Sequence, residues 1–224
     1  MAPLRAANTN HYSLEVSLMG LKQILQFEVI SEKYYERHLS RPIWPGGASG
    51  VTIGIGYDLG YQDEETIRMD WGERIPEADL DDLLAASGKK GQAARAYLGR
   101  LRQIDIPLKQ AQDVFYSRTL PRYARMTRKA YPGVEGLPAD AQAMLLSLVF
   151  NRGPALEGPR RREMKALRPL VQAGDLRGLA AQIRSMKRLW DIDQLPGLHA
   201  RRDREAELIE NARISYPAGE LMRL

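Results

Sequence analysis

The 224-residue chain predicts an α+β fold that is mainly helical, with one small antiparallel hairpin near its start. Three observations carry this prediction. Apolar residues recur at helical spacing over most of the length. The stretch "SGVTIGIGYDLG" (Ser49–Gly60) breaks that spacing with β-branched residues threaded by Gly54, Gly56 and Gly60. The segment "PADAQAMLLSLVFN" is apolar nearly all round, as a central buried helix must be.

The elements follow in order. Residues 1–12 read as an N-terminal arm ahead of a single domain over 13–224, whose β-containing lobe covers about 40–62. A first helix is expected from about Ser13 to His38, with Leu14, Leu18, Leu21 and Leu25 on its apolar face. The loop "SRPIWPGGASG" ends it through its Pro and Gly residues. Val51–Tyr57 then reads as a hairpin within a sheet of two or three strands. "DEET" opens a helix with acids in its first turn, where they complement the helix dipole. "PEADLDDLLAAS" opens another behind Pro76. Pro107–Tyr131 is one long helix or a pair kinked at Pro121. Shorter helices are expected near Arg161–Gln172 and Asp175–Arg188, and "PGLHARRDREAELIENA" closes the fold.

Composition narrows the function. Hydrophobic residues make up 44% and charged residues 27%, a balance that suits a buried core in a water-facing protein. The longest apolar runs are too short for a bilayer, and the N-terminus lacks the apolar run of a secretory signal. With no Cys there is neither disulfide framework nor thiolate chemistry. The three His are scattered and no metal-ligand cluster stands out, so no cofactor or metal is expected. The net charge of +5 fits an acidic polymer, nucleic acid or a membrane surface.

The chemistry gathers around one helix and one hairpin. Glu28 continues the Leu18–Leu21–Leu25 stripe, so it faces the core or the rim of a cleft. Partial burial favours a protonated carboxyl, which a general acid requires; the structural alternative is an ion pair with a cation such as Arg152 or an arginine of the last helix. Gly54 and Gly56 would let a ligand approach the strand backbone. Thr52 offers a hydroxyl that can hold a water, and Asp58 a second carboxylate just past the strand, or a cap for the turn. A helix-borne acid facing an acid and a hydroxyl is a layout for glycosidic cleavage. Trp44 could stack on a sugar or anchor its loop. Of Tyr34 and Tyr35, at least one is expected in the core. Asn151 would cap an apolar helix or reach Glu28. The basic clusters "PRRRE" (Pro159–Glu163) and "ARRDRE" (Ala200–Glu205) read as solvated helix faces.

These residues carry a family resemblance. "LQFEVISEKYY" followed by "GVTIGIGYDLGY" resembles the opening of the phage-type lysozymes, glycoside hydrolase family 24. Their pattern is a helix-borne Glu, a Tyr seven residues later, then "TIGYG" or "TIGIG". "LLSLVFNRGP" and "LPGLHARRDREAEL" are similar to the family's later segments, so the resemblance runs from about Gly20 to Ala212. One position departs: the family's Asp two residues after the helix Tyr is here Arg37. The neighbouring Glu36 is one candidate for the second acid. Asp58 is the other, placed six residues after Thr52 as in the related pesticin-type muramidases. The resemblance implies a lysozyme-like fold and a bacteriolytic peptidoglycan hydrolase that cleaves the β-1,4 bond between N-acetylmuramic acid and N-acetylglucosamine. Glu28, Asp58 and Thr52 would carry the chemistry, with Trp44, Gly54, Gly56, Tyr57 and Asn151 along the substrate. It further implies glycan strands as partner, an immunity or inhibitor protein as a second, no specific nucleic acid, and a monomer. The enzyme would be made in bacterial or phage-infected cytoplasm, as endolysin or secreted effector, and act on the wall in the periplasm. The alternatives are a lytic transglycosylase using Glu28 alone, a silent wall-binding relative and a basic nucleic-acid-binding protein.

Overall fold

In the computed structural model, which describes residues 13–224, the first long helix is two. Helix α1 spans Leu18–Val29 and α2 spans Glu32–His38. Between them Ile30 takes φ 62°, a left-handed conformation that a β-branched residue resists. Ser31 then caps α2 by accepting from the Tyr34 N–H. That serine was the sequence signal for the break. Ahead of α1, Glu15–Ser17 forms strand β1 instead of the expected helical turn. Leu18 is correspondingly 43% exposed, and the buried face of α1 is Gly20, Leu21 and Ile24. The arm at 1–12 lies outside the described residues.

The chain divides into two compact units, residues 13–24 with 123–224, and residues 25–122. In the unit of 25–122, strands β2 (Thr52–Ile53) and β3 (Tyr57–Asp58) form the antiparallel hairpin. Ile43 bridges Thr52 on its other side. Helices α3 (Glu64–Trp71) and α4 (Glu77–Leu84) follow. Asp63 caps α3 through the Thr66 N–H, and Pro76 stands at the N-cap of α4. Helix α5 is Gln92–Tyr97 and α6 is Leu108–Val114. From α6 the chain runs through a π-helical turn, Phe115–Thr119, into α7 (Leu120–Ala130). The wider turn falls just before Pro121, which has no N–H to donate to Ser117 and no room for its carbonyl. The expected break at Pro121 is therefore absorbed as a bulge in a continuous helix.

The other unit is built on α8 (Ala139–Arg152), buried throughout from Ala139 to Val149 as its apolar sequence requires. Helices α9 (Arg162–Ala173), α10 (Leu176–Ser185) and α11 (Pro196–Glu210) follow; α11 packs on α8, and α10 packs on both α9 and α11. Strand β1 pairs antiparallel with β4 (Leu221–Arg223), Val16 opposite Met222. This second sheet joins segments far apart in sequence. On α11 the expected solvated cluster is inverted: Arg202 and Glu205 are fully buried and Arg201 nearly so. Arg202 Nε lies 2.7 Å from Glu205, Arg201 Nε 3.2 Å from it, and the Ser147 hydroxyl donates to it at 2.6 Å. Burial of these charges is tolerated because each carboxylate oxygen meets a cation. The architecture is thus mainly helical with small antiparallel two-stranded sheets. No helix among the described residues is long and apolar enough to cross a membrane.

Candidate functional site

Glu28 is the penultimate residue of α1 and half-buried. It lies seven residues after Leu21 and four after Ile24, so helix geometry puts it on the edge of the buried face. The sequence stripe is thus right about the face of Glu28 although Leu18 does not belong to it.

The hairpin answers why glycine threads "SGVTIGIGYDLG". Gly54 and Gly56 both take positive φ, 54° and 66°, in the three-residue turn between β2 and β3. A Cβ on Gly54 would also sit 3.1 Å from the Trp71 ring and 3.2 Å from Ala111. The turn itself demands these glycines, whether or not a ligand approaches. Gly50 and Gly60 serve a different end. Their Cα atoms lie so close that a Cβ on Gly50 would meet the Gly60 backbone. This approach builds a cradle for Asp58.

In that cradle, Asp58 Oδ1 accepts from the Gly60 N–H at 2.8 Å and the Gly50 N–H at 3.0 Å. Oδ2 meets the Gly50 N–H at 3.1 Å. Asp58 also caps the 3-10 turn Leu59–Tyr61, so the turn-capping alternative is realised. The same donors hold the carboxylate in one place and leave Oδ2 acceptor capacity to spare. Burial pushes the Asp58 carboxyl above its ordinary value, while the Gly60 and Gly50 amides and Lys90 pull the other way. Thr52 is its direct cross-strand partner. The Thr52 backbone is tied to Ile43 through two hydrogen bonds. Among the described residues, none hydrogen-bonds its side-chain hydroxyl. The pair is therefore a fixed carboxylate beside a hydroxyl with donor and acceptor to offer.

Tyr57 is a correction to the substrate-lining expectation. It is 2% exposed, donates its hydroxyl to Asp70 at 2.8 Å and stands edge-on to Trp71. Burial, then the bond to Asp70, pushes its hydroxyl far above the usual range. Arg122 meets the same Asp70 oxygen at 2.6 Å. Together they moor the hairpin to the core. Sequence reading missed this anchor because Asp70 and Arg122 look like ordinary helix-surface charges.

Trp44 spends its indole N–H on the Ser49 carbonyl at 3.1 Å, and Arg95 lies 5.7 Å above its ring. It anchors its own loop. Tyr35 is buried, its hydroxyl bonded to the Ile106 carbonyl at 2.9 Å, while Tyr34 is on the surface. Glu36 is exposed on α2. Because α1 and α2 are separate, an unbroken helix no longer fixes the spacing of Glu36 from Glu28. Asn151 is exposed within α8 and is not its cap; Gly153, at φ 75°, is. Asn151 belongs to the other unit, where it lines a cleft with Arg152, Arg160, Arg161, Trp190 and Leu198. The "PRRRE" cluster thus borders a cavity where a solvated helix face was expected.

A family described as "Domain of unknown function (DUF8812)" matches residues 23–131. That stretch includes all of the unit carrying Glu28, Thr52 and Asp58. The chain is also similar to the aminomethyltransferases of two Thermus thermophilus strains. It is 34% identical to one of them and 32% identical to the other, each over 83 residues. These matches cover 35% of this chain, which spans 24% of the length of each of these curated relatives.

Proposed function

We propose that this protein is a peptidoglycan hydrolase, a muramidase cleaving the β-1,4 bond between N-acetylmuramic acid and N-acetylglucosamine. The observation that supports it most is the hairpin register, which sets Thr52 directly opposite Asp58 at the foot of a glycine turn. The half-buried Glu28, near the end of α1, belongs to the same unit. In this reading Glu28, protonated, donates to the leaving glycosidic oxygen. Asp58, ionised, stabilises positive charge at the anomeric carbon or takes a proton from water, and the Thr52 hydroxyl positions that water. A carboxyl separation of ~6.5–9.5 Å would leave room for the water and invert the anomer; ~5–5.5 Å would retain it. The partner is the glycan strand of the wall, met in the periplasm. A positive net charge draws the enzyme to a carboxylate-bearing polymer.

The test is digestion of purified wall with mass analysis of the fragments. Reducing N-acetylmuramic acid ends support a hydrolase. Ends with a 1,6-anhydro ring would make the protein a lytic transglycosylase using Glu28 alone. Intact wall at high enzyme concentration would remove the reading and leave a wall-binding or nucleic-acid-binding protein.

A further inference from the structure

The cleft beside α8 has a charge balance that packing does not explain. Its volume is about 330 Å³, and its walls carry Arg152, Arg160, Arg161 and Trp190. Arg152 leaves the end of α8 with its guanidinium 5.0 Å from the Trp190 ring, and Arg202 lies 5.9 Å from the same ring. The bonds that hold these side chains go to neutral atoms. Arg152 Nη2 donates to the Arg160 carbonyl at 2.6 Å, and Arg160 Nη2 to the Leu189 carbonyl at 3.2 Å. Arg152 Nε and Arg161 Nη1 both point to the Met164 sulfur. Among the described residues no carboxylate forms an ion pair with Arg152, Arg160 or Arg161. The nearby acids are committed elsewhere: Glu163 to Arg188 and Arg162, and Glu157 to Lys165.

Burial, and then the charges of Arg161, Arg202 and Arg160, pull the Arg152 guanidinium down to about 10 against the opposing charge of Glu163. Like charges held together in a concave site raise the local potential and concentrate an anion of matching charge. A carboxylate supplies one negative charge and two oxygens. A phosphate supplies more charge and three acceptor oxygens for planar, bidentate guanidinium forks.

We propose that this cleft is a binding site for a phosphate group, with Arg160 and Arg161 gripping the oxyanion, Arg152 at its floor and Trp190 forming an apolar wall for whatever the phosphate is attached to. The site lies in a different unit from Glu28 and Asp58, and the proposal does not rest on the muramidase reading. Its ligand is either free phosphate or a terminal phosphate monoester, which share the chemistry named.

Calorimetry on the full chain at fixed ionic strength tests it, with inorganic phosphate, glycerol 3-phosphate and acetate as probes. Phosphate or the monoester binds, and acetate binds at least tenfold more weakly. The double variant Arg160→Gln/Arg161→Gln weakens binding at least tenfold, whereas Lys109→Gln, an exposed cation in the other unit, leaves it within twofold. The tighter of the two phosphate probes identifies the source. A second double variant, Arg160→Lys/Arg161→Lys, keeps the charge and guards against a folding defect; it weakens binding several-fold through loss of the bidentate grip. The proposal is overturned if neither phosphate probe binds, if acetate matches phosphate, or if either double variant, folded as judged by its melting transition, binds like wild type.

Discussion

Replacing Asp58 by Asn separates the two things this carboxylate could do. Structurally, it serves two backbone donors: the Gly60 N–H at 2.8 Å, and the Gly50 N–H shared between its oxygens at 3.0 and 3.1 Å. Asn keeps one acceptor oxygen for both, loses the charge assistance, and sets an amide N–H₂ against the Gly50 N–H. A charge-assisted bond contributes about 1.5–3 kcal/mol and a neutral one about 1. Relief of a half-buried charge offsets part of the loss, so the net cost is about 1–2 kcal/mol. Against the ~5–15 kcal/mol of an ordinary fold this leaves almost every molecule native. Unfolding therefore cannot mimic a catalytic defect. If Asp58 is the second acid, the rate falls at least ~10²-fold, the scale of such groups, while Glu36→Gln costs under ~10-fold. The assay pairs initial rates on one wall preparation with urea unfolding of each variant. An Asp58→Asn enzyme that loses 1–2 kcal/mol but stays within tenfold of wild-type rate would reduce Asp58 to a cap. A larger loss for Glu36→Gln than for Asp58→Asn would move the second acid to α2.

Glu28→Gln cannot donate a proton and should lower wall turnover ~10²–10⁴-fold while the protein stays folded; turnover within threefold of wild type sinks the acid assignment. Gly50→Ala pushes a methyl against the Gly60 backbone and Asp58. It should cost at least about 2 kcal/mol in urea unfolding and lower activity with it; a neutral effect would mean that the cradle is not needed. Glu163 is 2% exposed, and burial alone would raise its carboxyl, but hydrogen bonds from Arg188 and Arg162 outweigh this and hold it at about 2. Because the folded value lies below the ordinary 4.5, the stabilisation is present above about pH 4.5 and is lost as pH falls toward 2. Its size at neutral pH is about 3 kcal/mol. Glu163→Gln should therefore differ from wild type by that amount at pH 7 and by little at pH 2, which urea titrations at the two pH values check.

Features that depend on near neighbours are legible in the chain itself. The burial of α8 can be read in "ADAQAMLLSLV" because a helix apolar all round has no face to give to water. Asp63 at the start of α3 and the bend-prone Pro121 act through their own backbone within one turn. The same holds for the face of Glu28 and for the two-stranded hairpin between Thr52 and Asp58. Even the break at Ser31 was written there as an N-cap, though a single helix expected from Ser13 to His38 passes over the signal. Features that join residues far apart in the chain came from the packed fold and from nothing local. The pairing of β1 with β4 joins Val16 to Met222, and no local pattern specifies such a partner. Whether an arginine is solvated or buried is equally non-local: Arg201 is buried because Glu205 and Ser147 meet it, while Arg160 and Arg161 border a cleft because Trp190 and Arg152 arrive from other elements. The hairpin glycines divide along the same line. Gly54 and Gly56 are required by the turn's own positive φ, but Gly50 and Gly60 are required by each other, since only two residues without side chains let the backbones close to within reach of one carboxylate.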